Sequence, residues 1–209
     1  MKIAFIVGSF ITPFEGGSKS IYSVKERVEQ THHTLKTIRE KCPEAKIYFV
    51  EGSETDISNY NFDYDELVRP TKDFEAKKLL YSMPKSPGEC VMMIYTANNV
   101  NLEEYDIVFK ISGRYNLTDD FSLDNFSKDK FTFYDHVQWG YETTLYAFPG
   151  KLKDVWVDVL RKGLTHMAKN KMDSIEIAFR QWLNVKHVHG AEKLGIEGFN
   201  APMKRHIKY

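Results

Sequence analysis

The chain lacks several features that would assign it to a familiar class of protein. It has no run of about 18 apolar residues, so we expect no membrane-spanning segment. Basic and acidic residues number 29 each, and a net charge of zero gives no support to non-specific binding of nucleic acid or of a membrane surface. The two cysteines, Cys42 and Cys90, match no zinc or redox motif, and we expect reduced thiols in a cytoplasmic protein.

The common glycine-rich signatures are also absent. Neither G-x-G-x-x-G nor G-x-x-x-x-G-K-[ST] occurs, which disfavours a Rossmann dinucleotide enzyme and a P-loop kinase. There is no G-x-S-x-G elbow of the hydrolase type. What remains is an ordinary globular composition, 42% hydrophobic over 209 residues, without an internal repeat or a clear linker. We therefore expect a single domain over residues 1–209.

Hydrophobic periodicity predicts an α/β protein with a mixed central sheet flanked by helices. The segments at 52–71 and after residue 190 are polar and are expected to be irregular. The predicted strands are 3–7, 46–50, 107–111, 130–134, 143–148 and 185–188, and the predicted helices are 20–41, 74–82, 86–98, 152–164 and 173–183. Because strands and helices alternate at first, the sheet should begin parallel and become mixed later.

The most informative stretch is Y-D-I-V-F-K-I-S-G-R-Y at 105–115, where a buried strand runs into a polar end. Ligands of open α/β sheets bind outside the carboxyl ends of strands, and an arginine there suits an anionic ligand. Lys110, Ser112, Gly113 and Arg114 therefore form a candidate phosphate or diphosphate clamp. The alternative is a plain strand end, with Lys110 on the surface and Arg114 paired with a nearby aspartate, Asp106 or Asp119.

Two further segments have a functional and a structural interpretation. Glu51 ends the second strand and could accept hydrogen bonds from a ribose or a base, although Gly52 and Ser53 also explain a simple turn. The helix that begins near Lys85 could bind an anion at its N-terminus. The same segment also forms a capping box from Ser86 to Glu89, which would make Glu89 structural.

Acidic residues later in the chain are candidates for acid–base and metal chemistry. Asp173 or Glu176 could supply a catalytic base at a helix start, but the pair also fits a capping box. Asp119 and Asp120 could hold a divalent cation through oxygen, and His189 could contribute nitrogen. The alternative for the two aspartates is a solvated loop, and the alternative for His189 is a structural histidine.

Taken together, these segments resemble the GT-A class of glycosyltransferases. They look most like the small, compact domains found in large DNA viruses and in bacterial surface-polysaccharide loci. The similarity is spread over most of the chain, and its most specific part is F-K-I-S-G-R-Y. The segments that carry it are strand one with Ser9, 27–38, 51–53, 85–89, 109–115, the D-S-I-E helix at 173 and L-G-I-E-G-F at 194–199.

The resemblance implies a fold and a donor site. It implies a single GT-A-like, Rossmann-related domain, with Ser9, Phe10 and Glu51 around the base and ribose of a nucleotide-sugar, a UDP-sugar by preference. The helix at Lys85 and Gly88 would line the diphosphate. Where the family has the D-x-D motif that binds a metal and the diphosphate, this chain has Ser112, Gly113 and Arg114. Either Arg114 replaces the charge of a manganese or magnesium ion, or another carboxylate such as Asp119 or Asp120 holds the ion.

The resemblance also implies a reaction. Glu176 or Asp173 would deprotonate an acceptor hydroxyl on a glycan, and the enzyme would build a surface or capsid glycan, in the host cytoplasm if a virus encodes it. A non-catalytic nucleotide- or glycan-binding module derived from a transferase is the first alternative. A different α/β enzyme that acts on a phosphorylated metabolite is the second.

Overall fold

The computed structural model describes residues 1–12, 21–83, 85–136, 140–169, 174–200 and 205–209. Within these residues the chain forms strands and α-helices joined by turns and short 3-10 segments. The strands are β1 Ile3–Ser9, β2 Lys46–Glu51, β3 Glu66–Val68, β4 Ile107–Ser112, β5 Tyr115–Leu117, β6 Phe131–His136, β7 Gly140–Tyr141, β8 Leu145–Phe148, β9 Val188–Ala191, β10 Ile196–Asn200 and β11 Arg205–Lys208. The helices are α1 Val24–Lys41, α2 Phe74–Ser82, α3 Lys85–Asn99, α4 Lys153–Ala168 and α5 Ile175–Trp182.

The main sheet confirms the predicted mixed α/β architecture. In the described part of the chain it runs in the order β3-β2-β1-β4-β8-β6-β7, and β9 also pairs with β6. Strands β3, β2, β1 and β4 are parallel, and β8 is antiparallel to both β4 and β6. The start of β8 therefore lies at the same edge of the sheet as the carboxyl ends of β1, β2 and β4.

Both faces of the sheet are covered, so alternate residues of one strand enter different cores. In β1, Ala4 and Ile6 belong to a core shared with α2, α3, α4 and α5. Phe5 and Val7 belong to the opposite core, which is shared with α1 and with a second, smaller sheet. The ring of Phe5 stacks on Phe109 of the neighbouring strand with centroids 4.6 Å apart. This double covering explains why the central strands are almost wholly apolar.

The smaller sheet joins distant parts of the sequence. It has the order β11-β10-β5 and is antiparallel throughout. β5 directly follows the end of β4, whereas its partner β10 lies near residue 200, with Glu197 opposite Asn116. The carbonyl of Tyr209 accepts hydrogen bonds from the N–H groups of Gly195 and Ile196. The last described residues are thus fixed beside the end of β4.

Several sequence-based boundaries are confirmed and others are wrong. The helix predicted over 20–41 is present as α1, which begins at Val24, directly after its N-cap Ser23, and Ser23 forms a capping box with Glu26. By contrast, α3 begins at Lys85, so Ser86 lies inside the helix and not at its cap. The strand predicted at 185–188 is displaced to Val188–Ala191. The two segments expected to be irregular contain β3 and, after residue 190, β10 and β11.

Two findings concern the cysteines and the helices of the described residues. Cys42 and Cys90 are buried free thiols. Among the helices of the described ranges, none is long and apolar enough to cross a membrane.

Candidate functional site

The carboxyl ends of three parallel strands bring the predicted donor residues together. The strand register places Ser9 of β1 beside Glu51 of β2, and Gly8 beside Ser112 of β4. On the other side of β4, the N–H of Ser112 donates a hydrogen bond to the carbonyl of Thr144, 3.1 Å away, just before β8. This edge of the sheet is where ligands of open α/β folds bind.

Glu51 organises the loops after β1 and β2. Its side chain is fully buried (0% exposed). Its Oε1 atom accepts hydrogen bonds from the N–H of Ile11 at 3.1 Å, the N–H of Ser53 at 2.8 Å and the Ser53 hydroxyl. A buried carboxylate satisfied in this way holds the two loops in place. Its predicted contact with a ribose stays a prediction, because the structure shows it bound to the protein backbone.

Phe10 covers the start of the second loop. A Cβ atom added to Gly52 would lie 2.4 Å from the Phe10 ring and 2.9 Å from the sulfur of Met92. The Gly52 N–H also donates to the carbonyl of Ser9 at 2.9 Å. Glycine is therefore required here because the aromatic ring occupies the space of a side chain. Ser9 and Phe10 thus lie at this edge of the sheet, and their contact with a nucleotide stays a prediction.

Gly113 lets the chain pass close to β1 and α1 before it reaches Arg114. Its N–H donates to the carbonyl of Gly8 at 2.8 Å, and its own carbonyl accepts from the Thr31 hydroxyl at 3.3 Å. An added Cβ would lie 3.3 Å from the Gly8 oxygen, a close contact that would require the neighbouring backbone to shift by a few tenths of an ångström. Arg114 is thereby fixed at the ends of β1 and β4.

The Arg114 guanidinium is partly exposed and lies 5.9 Å from the centre of the Tyr115 ring. Neither aspartate that was considered as its partner pairs with it. Asp106 accepts from the backbone N–H of Lys2 at 2.7 Å, and Asp119 pairs with Lys41 at 2.6 Å. Among the described residues, no carboxylate forms an ion pair with Arg114. A cation at a strand end without a carboxylate partner is suited to an anionic ligand.

Arg27 is a second arginine at this edge, and sequence reasoning did not assign it a role. Its Nη1 atom donates to the carbonyl of Phe10 at 2.7 Å, so α1 places the guanidinium over the end of β1. Burial and the nearby charge of Arg114 lower the pKa of Arg27 to about 10, against the opposing effect of Glu51. Perturbed ionisable groups of this kind concentrate at functional sites.

Lys110 does not reach the surface, contrary to the alternative interpretation of this strand end. It is 3% exposed, forms an ion pair with Glu89 and donates to the carbonyl of Thr143 at 3.0 Å. Its ammonium also lies 5.7 Å from the centre of the Tyr146 ring. Glu89 is thus a partner for Lys110 beneath the sheet edge. The direct contact of Lys110 with a diphosphate stays a prediction.

Glu176 is held by the segment before β8. The Thr143 hydroxyl donates to Glu176 Oε1 at 2.6 Å, and Glu176 is the second residue of α5. The N-cap of α5 is Ser174, which makes no side-chain capping hydrogen bond. Glu176 is therefore not at the third helical position, and the capping box predicted from Asp173 to Glu176 is wrong. Asp173 itself lies outside the described residues. Thr143 therefore connects the Glu176 carboxylate to the same edge that carries Arg114.

A third carboxylate, Glu142, was missed by sequence reasoning. It is buried and accepts hydrogen bonds from the N–H of Thr144 at 3.0 Å and from the Thr144 hydroxyl. The Tyr209 hydroxyl donates to its other oxygen at 3.3 Å, and the Tyr209 ring stacks on Tyr134 with centroids 4.3 Å apart. Glu142 and Tyr209 are far apart in sequence, so their contact could not be predicted from the sequence.

The candidate metal ligands lie elsewhere. Asp119 pairs with Lys41 at the end of α1, and Asp120 lies 2.9 Å from Lys193. β5 runs along α1 from Thr31 to Thr37, which carries Asp119 and Asp120 away from the carboxyl edge. His189 is exposed on β9. The ranges that the structure describes contain no group of three or more His, Cys, Asp or Glu residues suited to a metal ion.

The helix predicted to line the diphosphate is α3. α3 begins at Lys85, whose side chain lies outside the described part of the chain. Gly88 is buried, and an added Cβ would make ordinary contact with Leu80 of α2 at 3.9 Å. Gly88 thus faces a neighbouring helix in this structure, and its role beside a diphosphate stays a prediction.

Comparisons with known proteins add little on chemistry. No protein-family model matches the chain, and a search of curated proteins finds no match. Among solved structures, the chain is similar to the crystal structure of a glycosyltransferase involved in the glycosylation of the major capsid of PBCV-1. That likeness has 11% sequence identity and a TM-score of 0.48, and it covers 91% of this chain and 82% of the other. At this identity and score, neither an activity nor a ligand follows from the likeness.

Proposed function

We propose that this protein is a glycosyltransferase that moves a sugar from a nucleotide donor, a UDP-sugar by preference, to a hydroxyl of a glycan acceptor. The observation that carries the proposal is Arg114, held at the end of β4 without a carboxylate ion-pair partner among the described residues. A leaving nucleoside diphosphate needs positive charge at this point. The resemblance of the sequence to the GT-A class supports the same choice.

The proposed reaction divides the residues at this edge of the sheet into donor-binding residues and a catalytic base. Arg114 would bind the diphosphate, with Ser9, Phe10 and the loops tied by Glu51 around the nucleoside. The Glu176 carboxylate would take the proton of the acceptor hydroxyl as its oxygen bonds to the anomeric carbon. The bond from that carbon to the diphosphate breaks, and the nucleoside diphosphate leaves with the electron pair. Asp173 is the second candidate for the base.

A thermal-shift screen tests the donor. UDP, GDP, CMP, ADP and inorganic phosphate are compared, each with and without manganese, because a ligand that binds only the folded state raises the melting temperature. A rise with one nucleoside diphosphate supports the proposal. Equal responses to simple phosphates would favour an enzyme that acts on a phosphorylated metabolite.

Glu176→Gln separates binding from catalysis. We expect this variant to keep its melting-temperature rise with UDP and to lose sugar transfer by about 100-fold or more, as for loss of a general base. The matched control is Glu75→Gln, because Glu75 is exposed and is also the second residue of its helix, α2. Full transfer activity in Glu176→Gln would place the base elsewhere, with Asp173 as the next candidate.

The missing D-x-D carboxylates favour one alternative, a non-catalytic module that binds a nucleotide or a glycan. Ser112, Gly113 and Arg114 stand where that motif is expected. The module would bind a nucleotide without turnover of any donor. Measured release of UDP from a UDP-sugar, in the presence of a glycan acceptor, would exclude it.

A further inference from the structure

A cavity of about 400 Å³ lies at the end of β3, the first strand in the order of the main sheet. Its volume is within the range of small-molecule sites, roughly 300–1,000 Å³. Val68 of β3 pairs with Val50 of β2, so Arg69, which lines the cavity, is level with Glu51 at the carboxyl edge. The cavity is nevertheless distant from Arg114, because β3 and β4 are three strand spacings apart, about 14 Å.

Part of the cavity wall is apolar and is formed by Ile57, Tyr64 and Leu67. Ile57 is buried, and the Tyr64 ring stacks on Phe49 with centroids 5.5 Å and planes 15° apart, which fixes its orientation. Tyr64 is still partly exposed. A held aromatic ring beside an open cavity offers a flat apolar surface, which suits the C–H face of a sugar ring.

The polar part of the wall carries two carboxylates, and both have cationic neighbours. Glu54 Oε1 lies 2.6 Å from the ammonium of Lys77. Asp56 accepts a hydrogen bond from the N–H of Ser58 at 3.0 Å. The hydrogen bonds from Ser58 lower the pKa of Asp56, and the charge of Arg69 adds to this effect. Both groups are therefore charged at neutral pH and can accept hydrogen bonds from hydroxyl groups.

The cations of the wall outnumber what these carboxylates balance. Arg69 donates to the carbonyl of Thr55 at 2.7 Å and lies near Asp56. Lys72 is exposed at the cavity and forms no ion pair within the described part of the chain. Once Lys77 is counted with Glu54 and Arg69 with Asp56, Lys72 is one positive charge in excess. An anionic group on a ligand would balance it.

We propose that this cavity binds a sugar that carries a carboxylate, at a site separate from the donor site. The sugar carboxylate would pair with Lys72 and Arg69, and the ring would lie against Tyr64. Glu54 and Asp56 would accept hydrogen bonds from its hydroxyl groups. The site does not depend on the proposed function, because neither the base nor the arginine assigned to the diphosphate lies in the cavity.

The experiment is an NMR titration of the isotope-labelled full chain with trigalacturonate, and maltotriose is the neutral chain of the same length. We expect trigalacturonate to bind about 10-fold or more tightly than maltotriose, the difference typical of a charge-assisted hydrogen bond. Acetate and inorganic phosphate supply charge without a sugar ring and should bind more weakly than trigalacturonate. Glucuronate identifies the source of the ligand: an affinity equal to that of trigalacturonate assigns a free acidic sugar, and a weaker one assigns a residue of a chain.

Lys72→Glu reverses the excess charge at an exposed position, so we expect it to fold and to weaken trigalacturonate binding by about 10-fold or more. Maltotriose binding should change little. Arg69→Gln should also weaken trigalacturonate binding, and its melting temperature without ligand shows whether loss of the Thr55 contact unfolds it. The matched control is Lys78→Gln, which removes an exposed lysine of α2 outside the cavity and should leave the affinity unchanged.

The acidic-sugar site is overturned if trigalacturonate does not bind, if maltotriose or phosphate binds equally well, or if Lys72→Glu retains wild-type affinity. Competition by UDP would also overturn it, because the cavity would then belong to the nucleotide site. If trigalacturonate binds but no nucleoside diphosphate does, the acidic-sugar site stands and the proposed function fails. If UDP-sugars react but trigalacturonate does not bind, the proposed function stands and the acidic-sugar site fails.

Discussion

Lys110 and Glu89 form a buried ion pair, and we expect its two members to differ in how much stability is lost when each is replaced. Lys110 is 3% exposed, whereas the Glu89 side chain is 22% exposed. Lys110→Met leaves a carboxylate that water still reaches, and it removes the bond to the Thr143 carbonyl. We expect a loss of about 2–3 kcal/mol in the free energy of unfolding. Glu89→Gln leaves an enclosed ammonium without its counter-charge, and we expect a loss of about 3–5 kcal/mol.

The double variant isolates the interaction. Lys110→Met with Glu89→Gln leaves no orphaned charge, so it should cost no more than Lys110→Met alone, and the coupling energy should be at least about 3 kcal/mol, the lower bound for Glu89→Gln. The assay is urea unfolding followed by circular dichroism at pH 7, with unchanged m-values as the sign that the unfolded states are comparable.

A control pair lies on the surface of α4. Lys162 and Asp158 form an exposed ion pair one helical turn apart, and Lys162→Met should cost less than about 0.5 kcal/mol. Additive costs for Lys110→Met and Glu89→Gln, or a smaller cost for Glu89→Gln than for Lys110→Met, would refute the reasoning. UDP affinity in folded Lys110→Met also tests the role expected from the sequence, because loss of a direct diphosphate contact costs about 10-fold or more.

Two further predictions concern the loops and the acid stability of the fold. Gly52→Ala should lower the free energy of unfolding by about 1–3 kcal/mol in urea titrations, because its Cβ would lie 2.4 Å from the Phe10 ring; an unchanged midpoint would contradict this. Burial alone would raise the pKa of Asp65, but hydrogen bonds from the Ile47 N–H and from Arg39 outweigh it and lower that pKa. Since the folded-state pKa is below the unfolded value, the stabilisation is present above about pH 4 and is lost as pH falls through the folded-state pKa. Asp65→Asn should therefore be less stable than the wild type at pH 7, and the difference should shrink in acid; a difference independent of pH would be inconsistent with this assignment.

The fold could be predicted from the sequence wherever the pattern is local. Strands β1, β2 and β4 are mostly apolar runs, and the capping box of α1 lies within four residues, from Ser23 to Glu26. β10 and β11 could not be predicted in this way, because they are short, partly polar strands whose pairing depends on β5, about 80 residues earlier.

The site was predictable to a similar extent. The end of β4 was identified because Gly113 and Arg114 are adjacent to a strong strand pattern. Arg27 was not identified, because the sequence of an amphipathic helix does not distinguish a charged residue that contacts the sheet from one that faces solvent. Lys110 shows why a polar residue in a strand cannot be assumed to face solvent. Both faces of this sheet are covered, so every position of β4 is buried, and a lysine there needs a buried partner.

The pairing of β5 with β10 also bears on the order of events during synthesis. The parallel strands β1, β2 and β4 are all contained in the first 112 residues and can assemble while the rest of the chain is still being made. β5, which begins one residue after Arg114, has to wait until residues 196–208 have left the ribosome before its small sheet can close. At about 5–20 residues per second, that wait lasts several seconds or more. During translation the small sheet of β5, β10 and β11 would therefore be among the last parts of the domain to become ordered.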